Sequence, residues 1–575
     1  MAFSMGKTDT GFDQPAANIA RRLRQTARRM PYKRAVVALS GRDRTGRAAY
    51  AHLTFEQLDR ESDRLAAGFE SIGIQRGIRT VLMVKPGIDF FVVIFAMFKC
   101  GAVPVVVDPG MGVGRMLRCL AATRPAAFIG IPLAHALRLA APRYFNSVAV
   151  TVTVGPNLFG ASTSLDKLLG QHPWHPFALA PTTRDETAAI LFTTGSTGPA
   201  KGAVYTHGNF EAQIDQIQSH FAIGADEIDL PTFPLFALFD PALGMTAVIP
   251  DMDPRKPAYV DPQKIIEPIL NHGVTNMFAS PALLERVGAF GKKRQVRLPS
   301  LRRVVSAGAP VAPATIARFS ALLEESGEIH TPYGATEAVP VLSLGSREIL
   351  AETRPLSEQG YGMCVGRPLG HTEVRIIGIS DAPIAAWSDD LVVPDGDTGE
   401  IVVRGPLVTR QYFRNPSADK LAKIPDGTSF WHRMGDLGWK DRKNRIWFCG
   451  RKSHRVSAPE GDLFTIPCEA VFNNHPGVLR SALVGIGQRP RQLPVMCIER
   501  TPEGRRMNRR QLTEELLAIG AASPLTRPIR HLLYHRRFPV DIRHNAKIYR
   551  EQLAAWAARR VKAQAIENEG APNNG

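Results

Sequence analysis

The chain has 575 residues, more than one hydrophobic core organises, which predicts two to four domains or subdomains. Its 44% apolar content is that of an ordinary globular protein. The net charge of +18 comes with arginine pairs at both ends, yet no zinc-finger spacing, aromatic RNA-binding signature or heptad zipper accompanies them, so no nucleic-acid partner is expected.

Met1 to Lys7 has no apolar signal core, and the apolar run Phe90 to Phe98 stops at Lys99, short of the roughly 20 residues a membrane span needs. The expectation is a cytoplasmic enzyme whose basic surface suits anionic substrates, acidic partners or peripheral membrane contact. Six cysteines lie far apart without a CxxC pair, so neither zinc nor a disulfide framework is expected.

In chain order, Asn18 to Met30 places Ile19, Leu23, Ala27 and Met30 at helical spacing between arginines, an amphipathic helix expected on the core. Leu53 to Ile72 repeats that pattern. Thr80–Val84 and Ala102–Val107 read as buried strands around a helix at Phe91–Phe98, a βαβ unit. The loop Asp108 to Gly114 has Arg115 where a dinucleotide fingerprint needs its third glycine, and reads as a turn. βα alternation continues to about Pro310. Shorter strands at Glu373–Ile377 and Glu400–Val403 predict a smaller β-rich subdomain over about 365–451. Lys440 to Arg445 is a charged tight turn before Ile446-Trp447-Phe448, and the tail from Asn568 to Gly575 is expected to be disordered.

The most informative segment runs from Leu191 to Gly202. After an apolar run it brings together Thr193, Thr194, Gly195, Ser196, Thr197, Gly198 and Lys201. Glycines let backbone N–H groups approach an anion, hydroxyls add donors, and the lysine adds a mobile charge, which is a composition for holding phosphate. It is not a P-loop, because Ala200 stands where the second glycine belongs. Downstream come Ser306-Ala307-Gly308-Ala309-Pro310, Tyr333-Gly334-Ala335-Thr336-Glu337, Gly399 to Pro406, Gly435-Asp436-Leu437-Gly438, Gly450-Arg451 and Asn545-Ala546-Lys547-Ile548.

This ordered series, from about Leu53 to Lys547, resembles the adenylate-forming superfamily of acyl-CoA synthetases, luciferases and peptide-synthetase adenylation domains. The resemblance implies an α/β fold: a large N-terminal adenylation domain of βα layers (1–451), including the β-rich subdomain, and a small mobile α+β C-terminal domain (452–575) with its hinge near Lys452-Ser453. It implies ATP and Mg²⁺. Thr193 to Gly198 and Lys201 would cradle the β- and γ-phosphates, Thr336 would contact the α-phosphate, and Glu337 would position the metal. Asp436, backed by Arg451, would accept both ribose hydroxyls. Gly308, Ala309, Pro310, Tyr333 and Gly334 would flank adenine, and Lys547 would bridge substrate carboxylate and α-phosphate.

Three departures concern the state that accepts CoA. No histidine follows Pro234-Leu235-Phe236, Ser453 occupies the hinge with an altered Ser457 to Asp462 segment after it, and Ala546 replaces the glycine before the terminal lysine. In these features and its Asp108 to Gly112 loop the chain looks like the β-lactone synthetase branch of bacterial long-chain olefin biosynthesis. That implies a long-chain 2-alkyl-3-hydroxy fatty acid, intramolecular attack by its β-hydroxyl without CoA, and thiolase-like and reductase-like partner enzymes. A long-chain fatty acyl-CoA or acyl-AMP ligase, and a non-catalytic adenylate-binding scaffold, are the alternatives. The segment Phe233 to Met245 reads equally as acyl-pocket lining or core helix, and His207 or Asp240 is the candidate to take the hydroxyl proton.

Overall fold

The computed structural model describes residues 17–192, 200–233, 237–540 and 548–569. Two seven-stranded sheets form most of the N-terminal part. In spatial order the first runs Thr163–Ser164, Val150–Thr153, Ala127–Gly130, Arg79–Met83, Val103–Val107, Thr187–Phe192 and Gly202–Thr206, parallel until its last pair. The second runs Glu328–His330, Arg303–Ser306, Asn276–Ala279, Ile228–Pro231, Thr246–Ile249, Arg34–Arg42 and Ala48–Thr54, parallel until its terminal hairpin.

Strands buried on both faces need apolar residues, and Ala127–Gly130 supplies them throughout, while Thr246–Ile249 supplies them after Thr246, whose hydroxyl donates to the Arg34 carbonyl. The helix Ile88–Lys99 lies in a core shared by both sheets, buried from Phe90 onward, which is why its sequence is apolar all round. Its one buried charge, Lys99, ends in the core, and its ammonium donates to Asp59 Oδ1 at 2.5 Å and Asp63 Oδ1 at 2.7 Å. Asp63 also receives Arg24 at 2.7 Å from the helix Ala20–Arg29, whose Ala20, Leu23 and Ala27 are buried. The first amphipathic helix therefore packs on the core through both its apolar face and an arginine. The helix Phe55–Ser71 begins at a capping box between Thr54 and Gln57.

A third, antiparallel sheet follows: Tyr333–Ala335, Ala338–Ser343, Met363–Pro368, Ile446–Arg451, Ser429–Lys440, Gly399–Arg404 and Glu373–Ile377, with Lys423–Asp426 paired to Ser429–Lys440. Its central hairpin turns at Lys440–Arg445, as the sequence predicts. Asp441 Oδ1 accepts from the backbone N–H of Lys443 and Arg445, and Trp439 stacks on Trp447 with ring centroids 5.5 Å apart. The loop after Val107 is a short 3₁₀ turn, Pro109–Met111, leading into the helix Val113–Ala122.

The smaller C-terminal part is built on Val478–Ile486, Leu493–Arg500 and His531–Tyr534, with the hairpin Val456–Ala458 and Gly461–Leu463 beside it. The helices Thr465–Asn473, Arg509–Ala522 and Arg550–Glu569 complete its α+β arrangement. The whole is an α/β protein with a large N-terminal and a small C-terminal part. All six cysteines are buried and unpaired, and among the described residues no helix is long and apolar enough to cross a membrane.

Candidate active site

The third sheet brings three separated motifs to one wall. Tyr333, on the strand Tyr333–Ala335, donates its hydroxyl to Asp436 Oδ2 at 2.5 Å, and Arg451 donates to Asp436 Oδ1 at 2.7 Å. Asp436 and Arg451 are direct cross-strand partners, so their side chains emerge on one face. A β-bulge sets that pairing: Leu437 faces Gly450 while Gly438 faces Phe448, which leaves Cys449 as the extra residue. Burial and the adjacent carboxylate push the Tyr333 phenol well above its ordinary range, so it stays a donor. Arg451 is raised, chiefly by the charge of Asp436.

Two glycines are required here for different reasons. Gly308, after the strand Arg303–Ser306, has φ +91°, which side-chain-bearing residues rarely adopt. At Gly334 a Cβ would lie 2.5 Å from the Ala338 carbonyl oxygen, so any side chain would open the Tyr333–Ser343 hairpin. The turn of that hairpin presents Thr336 and Glu337.

Glu337 accepts a 2.5 Å hydrogen bond from the Tyr412 hydroxyl. The Tyr412 phenol is raised by burial and by Glu337. Its ring also receives two lysines, Lys201 at 5.0 Å and Lys423 at 5.8 Å from the centroid. Lys423 is buried, which lowers it to about 7, and its ammonium donates to the Thr409 carbonyl. The Thr336 carbonyl accepts from Tyr205, whose phenol burial pushes up.

Gly308, Ala309, Pro310, Tyr333, Gly334, Thr336, Glu337, Asp436 and Arg451 all line one cavity of about 2280 Å³. Lys201 joins them through Tyr412. Thr193, Thr194, Gly195, Ser196, Thr197, Gly198 and Lys547 lie outside the described residues. Away from Asp436 the cavity becomes an apolar chamber lined by Phe90, Ile94, Phe98, Leu120, Leu137 and Phe239, among others. The segment Phe233 to Met245 divides between the two readings it allows: Phe233, Leu238 and Phe239 line the chamber, whereas Ala242, Leu243 and Met245 are core.

Neither candidate for the hydroxyl proton reaches this cavity. His207 is 1% exposed and its Nδ1 accepts from the Ile19 backbone N–H at 3.3 Å, with burial lowering it to about 4. Asp240 is buried against Asp229, and burial and the partner's charge raise it well above the usual range. Both support the fold. Sequence reasoning passed over Tyr412, Lys423 and His454. The first two carry no local motif, being an aromatic and a lysine whose meaning comes from a buried neighbourhood. His454 lines the cavity and meets Glu551 at 3.2 Å.

The sequence model of the AMP-binding enzyme family matches residues 23–413. The chain belongs to this family. Adenylate-forming enzymes of this kind use ATP with Mg²⁺. Among its relatives is the olefin beta-lactone synthetase of Xanthomonas campestris pv. campestris, 46% identical over 96% of this chain and 99% of that protein. The olefin beta-lactone synthetase of Stenotrophomonas maltophilia is 47% identical over 95% of this chain and 99% of its own. The amide bond synthetase McbA from Marinactinospora thermotolerans shares the fold, with a TM-score of 0.75 at 22% identity over 94% of this chain and 99% of that one. Within this AMP-binding enzyme no three His, Cys, Asp or Glu side chains gather into a metal cage among the described residues. Glu337, with one oxygen held by a neutral donor, suits a metal that shares its coordination with phosphate oxygens.

Proposed function

We propose that the protein activates a long-chain 2-alkyl-3-hydroxy fatty acid as its acyl-AMP and then closes a β-lactone by attack of the substrate's own β-hydroxyl, releasing AMP after pyrophosphate. The observation that carries this reading is the continuity of one cavity from the Tyr333–Asp436–Arg451 cluster to the apolar chamber. Its volume of about 2280 Å³ exceeds the roughly 300–1,000 Å³ of ordinary small-molecule sites. A nucleotide at the polar end and two alkyl chains at the other would account for that size. Near full-length similarity to two olefin beta-lactone synthetases supports it.

Asp436 accepts the two ribose hydroxyls on the lone pairs that Tyr333 and Arg451 leave open, and Tyr333 and the Gly308-Ala309-Pro310 turn flank adenine. Thr336 meets the α-phosphate. Thr193 to Gly198, with Lys201, hold the departing phosphates. Glu337 would hold Mg²⁺, whose charge offsets that of the phosphates when bound. A carboxylate attacking an anionic phosphate needs charge neutralisation above all, and Lys547 supplies it from a C-terminal domain, residues 452–575, that moves against residues 1–451. Closure is intramolecular, so proximity replaces the binding of an external thiol and CoA is not required. The enzyme acts in the cytoplasm beside thiolase-like and reductase-like enzymes, its basic surface available for assembly or peripheral membrane contact.

The test incubates the protein with ATP, Mg²⁺ and a long-chain 2-alkyl-3-hydroxy acid, with and without CoA, and identifies the products by NMR and mass spectrometry. A β-lactone and AMP without CoA are expected. A thioester formed only with CoA would make the protein an acyl-CoA ligase, and no pyrophosphate release with any fatty acid would leave a binding scaffold.

A further inference from the structure

Lactone closure requires a group that takes the β-hydroxyl proton, and the cavity wall offers a specific one. His454 ends the short turn Lys452–His454, three residues after Arg451, and lines the same cavity. Its Nε2 lies 3.2 Å from Glu551 Oε1, on the helix Arg550–Glu569. A carboxylate only accepts, so Nε2 carries the hydrogen and donates, and Nδ1 keeps its lone pair. Among the described residues Nδ1 has no hydrogen-bond partner, and the His454 side chain is 11% exposed. The arrangement is an imidazole fixed in one tautomer by a carboxylate, with the free nitrogen available to a substrate.

We propose that His454, oriented by Glu551, is the base that accepts the β-hydroxyl proton as the lactone closes. The proposal rests on the β-lactone synthetase reading and names the residue that performs its second half. As the β-oxygen bonds to the acyl carbon, the bond from that carbon to the AMP phosphate oxygen breaks and its electron pair leaves with AMP. The hydroxyl proton passes to His454 Nδ1, and Glu551 bears on the imidazolium that forms.

Three features of the surroundings favour this assignment. Three other carboxylates of the cavity lining are committed: Asp436 to Tyr333 and Arg451, Glu337 to Tyr412, and Glu469 to both terminal nitrogens of Arg550. Burial, then the nearby Arg550 and Arg451, lowers the imidazole below its ordinary range against the opposing pull of Glu551, which keeps it in the neutral form a base requires. Finally, the negative charge gathering on the leaving AMP favours protonation of His454 at the moment of closure.

The experiment uses the full chain in single-turnover quenched flow, with ATP, Mg²⁺ and the 2-alkyl-3-hydroxy acid, following pyrophosphate and lactone separately. For His454→Gln the ratio of lactone closure to pyrophosphate release is expected to fall about 100-fold, the usual worth of a positioned base, with acyl-AMP accumulating. Glu551→Gln keeps a hydrogen-bond acceptor but loses the charge, and its ratio is expected to fall about tenfold. Glu551→Gln also serves if His454→Gln fails to fold. An unchanged ratio in the variants would overturn the proposal, as would equal losses in both half-reactions, which would make His454 a strut. If the unmodified protein forms no lactone, it is the parent reading that fails, so the two failures are distinct.

Discussion

Asp436→Asn tests the nucleotide end of the site with the least change of shape. An ionised carboxylate has about four acceptor sites. Tyr333 occupies one on Oδ2 and Arg451 one on Oδ1, so about two remain, one on each oxygen, to meet two ribose hydroxyls. The amide of asparagine has acceptors on only one side, and its NH₂ would face a donor from either Tyr333 or Arg451. A hydrogen bond to a charged group is worth roughly 1.5–3 kcal/mol, so the two ribose contacts amount to roughly 3–6 kcal/mol. Retaining part of this, Asp436→Asn is expected to weaken ATP binding by about 100- to 1,000-fold at roughly 1.4 kcal/mol per tenfold. Calorimetric titration with ATP and 2′-deoxy-ATP, on both proteins, forms a double-perturbation cycle. The unmodified protein should lose about 10- to 100-fold when the 2′-hydroxyl is removed, and the variant less than about threefold. A folded variant that discriminates against 2′-deoxy-ATP as strongly as the unmodified protein would refute the ribose role.

Lys423, lowered to about 7 by burial, predicts a signed pH effect. Between about pH 7 and 10 the unfolded chain holds a proton there that the folded chain has lost, so stability rises with pH across that window. Lys423→Met should remove roughly 3 kcal/mol of that rise between pH 7 and 9.5 in urea titrations, and parallel curves would contradict it. The Asp229–Asp240 pair acts in the opposite direction. Asp229 is raised to about 7 and Asp240 well above its usual range, so their contribution is present below about pH 4 and lost as pH rises through 7. Asp240→Asn is expected to flatten that decline in thermal melts from pH 4 to 8. Leu137→Trp, in the apolar chamber, should displace about two methylenes of acyl chain and shift kcat/KM towards shorter acids by roughly tenfold, at about 0.8 kcal/mol per methylene. An unchanged chain-length profile would place the alkyl chain elsewhere.

The layered fold was legible because its elements announce themselves locally. The run Phe90 to Phe98 is apolar all round and is buried all round, and Glu373–Ile377 has the bounds that the sequence predicts. The cavity wall was legible for another reason: tight backbone geometry leaves glycines, Gly308 through its φ of +91° and Gly334 through the Ala338 carbonyl oxygen beside it, and both line the cavity with Tyr333 and Asp436. What escaped was whatever depends on distance along the chain. Tyr412 meets Glu337 across 75 positions and His454 meets Glu551 across 97, and no short window contains either pair. The same blindness produced His207 and Asp240 as candidates, since a polar residue in an apolar stretch looks functional until its burial against Ile19 or Asp229 is seen.

The bulge at Cys449 makes the site sensitive to counting as well as to chemistry. Were the ladder to run on regularly from the Gly438–Phe448 pair with no bulge, Asp436 would face Gly450, and Arg451 would fall on the opposite side of the sheet. Every functional group would survive such a slip of register, yet Asp436 and Arg451 would be separated. The length of chain between Gly438 and Arg451 is thus a ruler, and the exposed turn at its far end inherits the constraint. Substitutions there are free to drift, while insertions and deletions are held to zero. In this stretch the gap pattern of related sequences, more than their residue choices, should record the Asp436–Arg451 pairing.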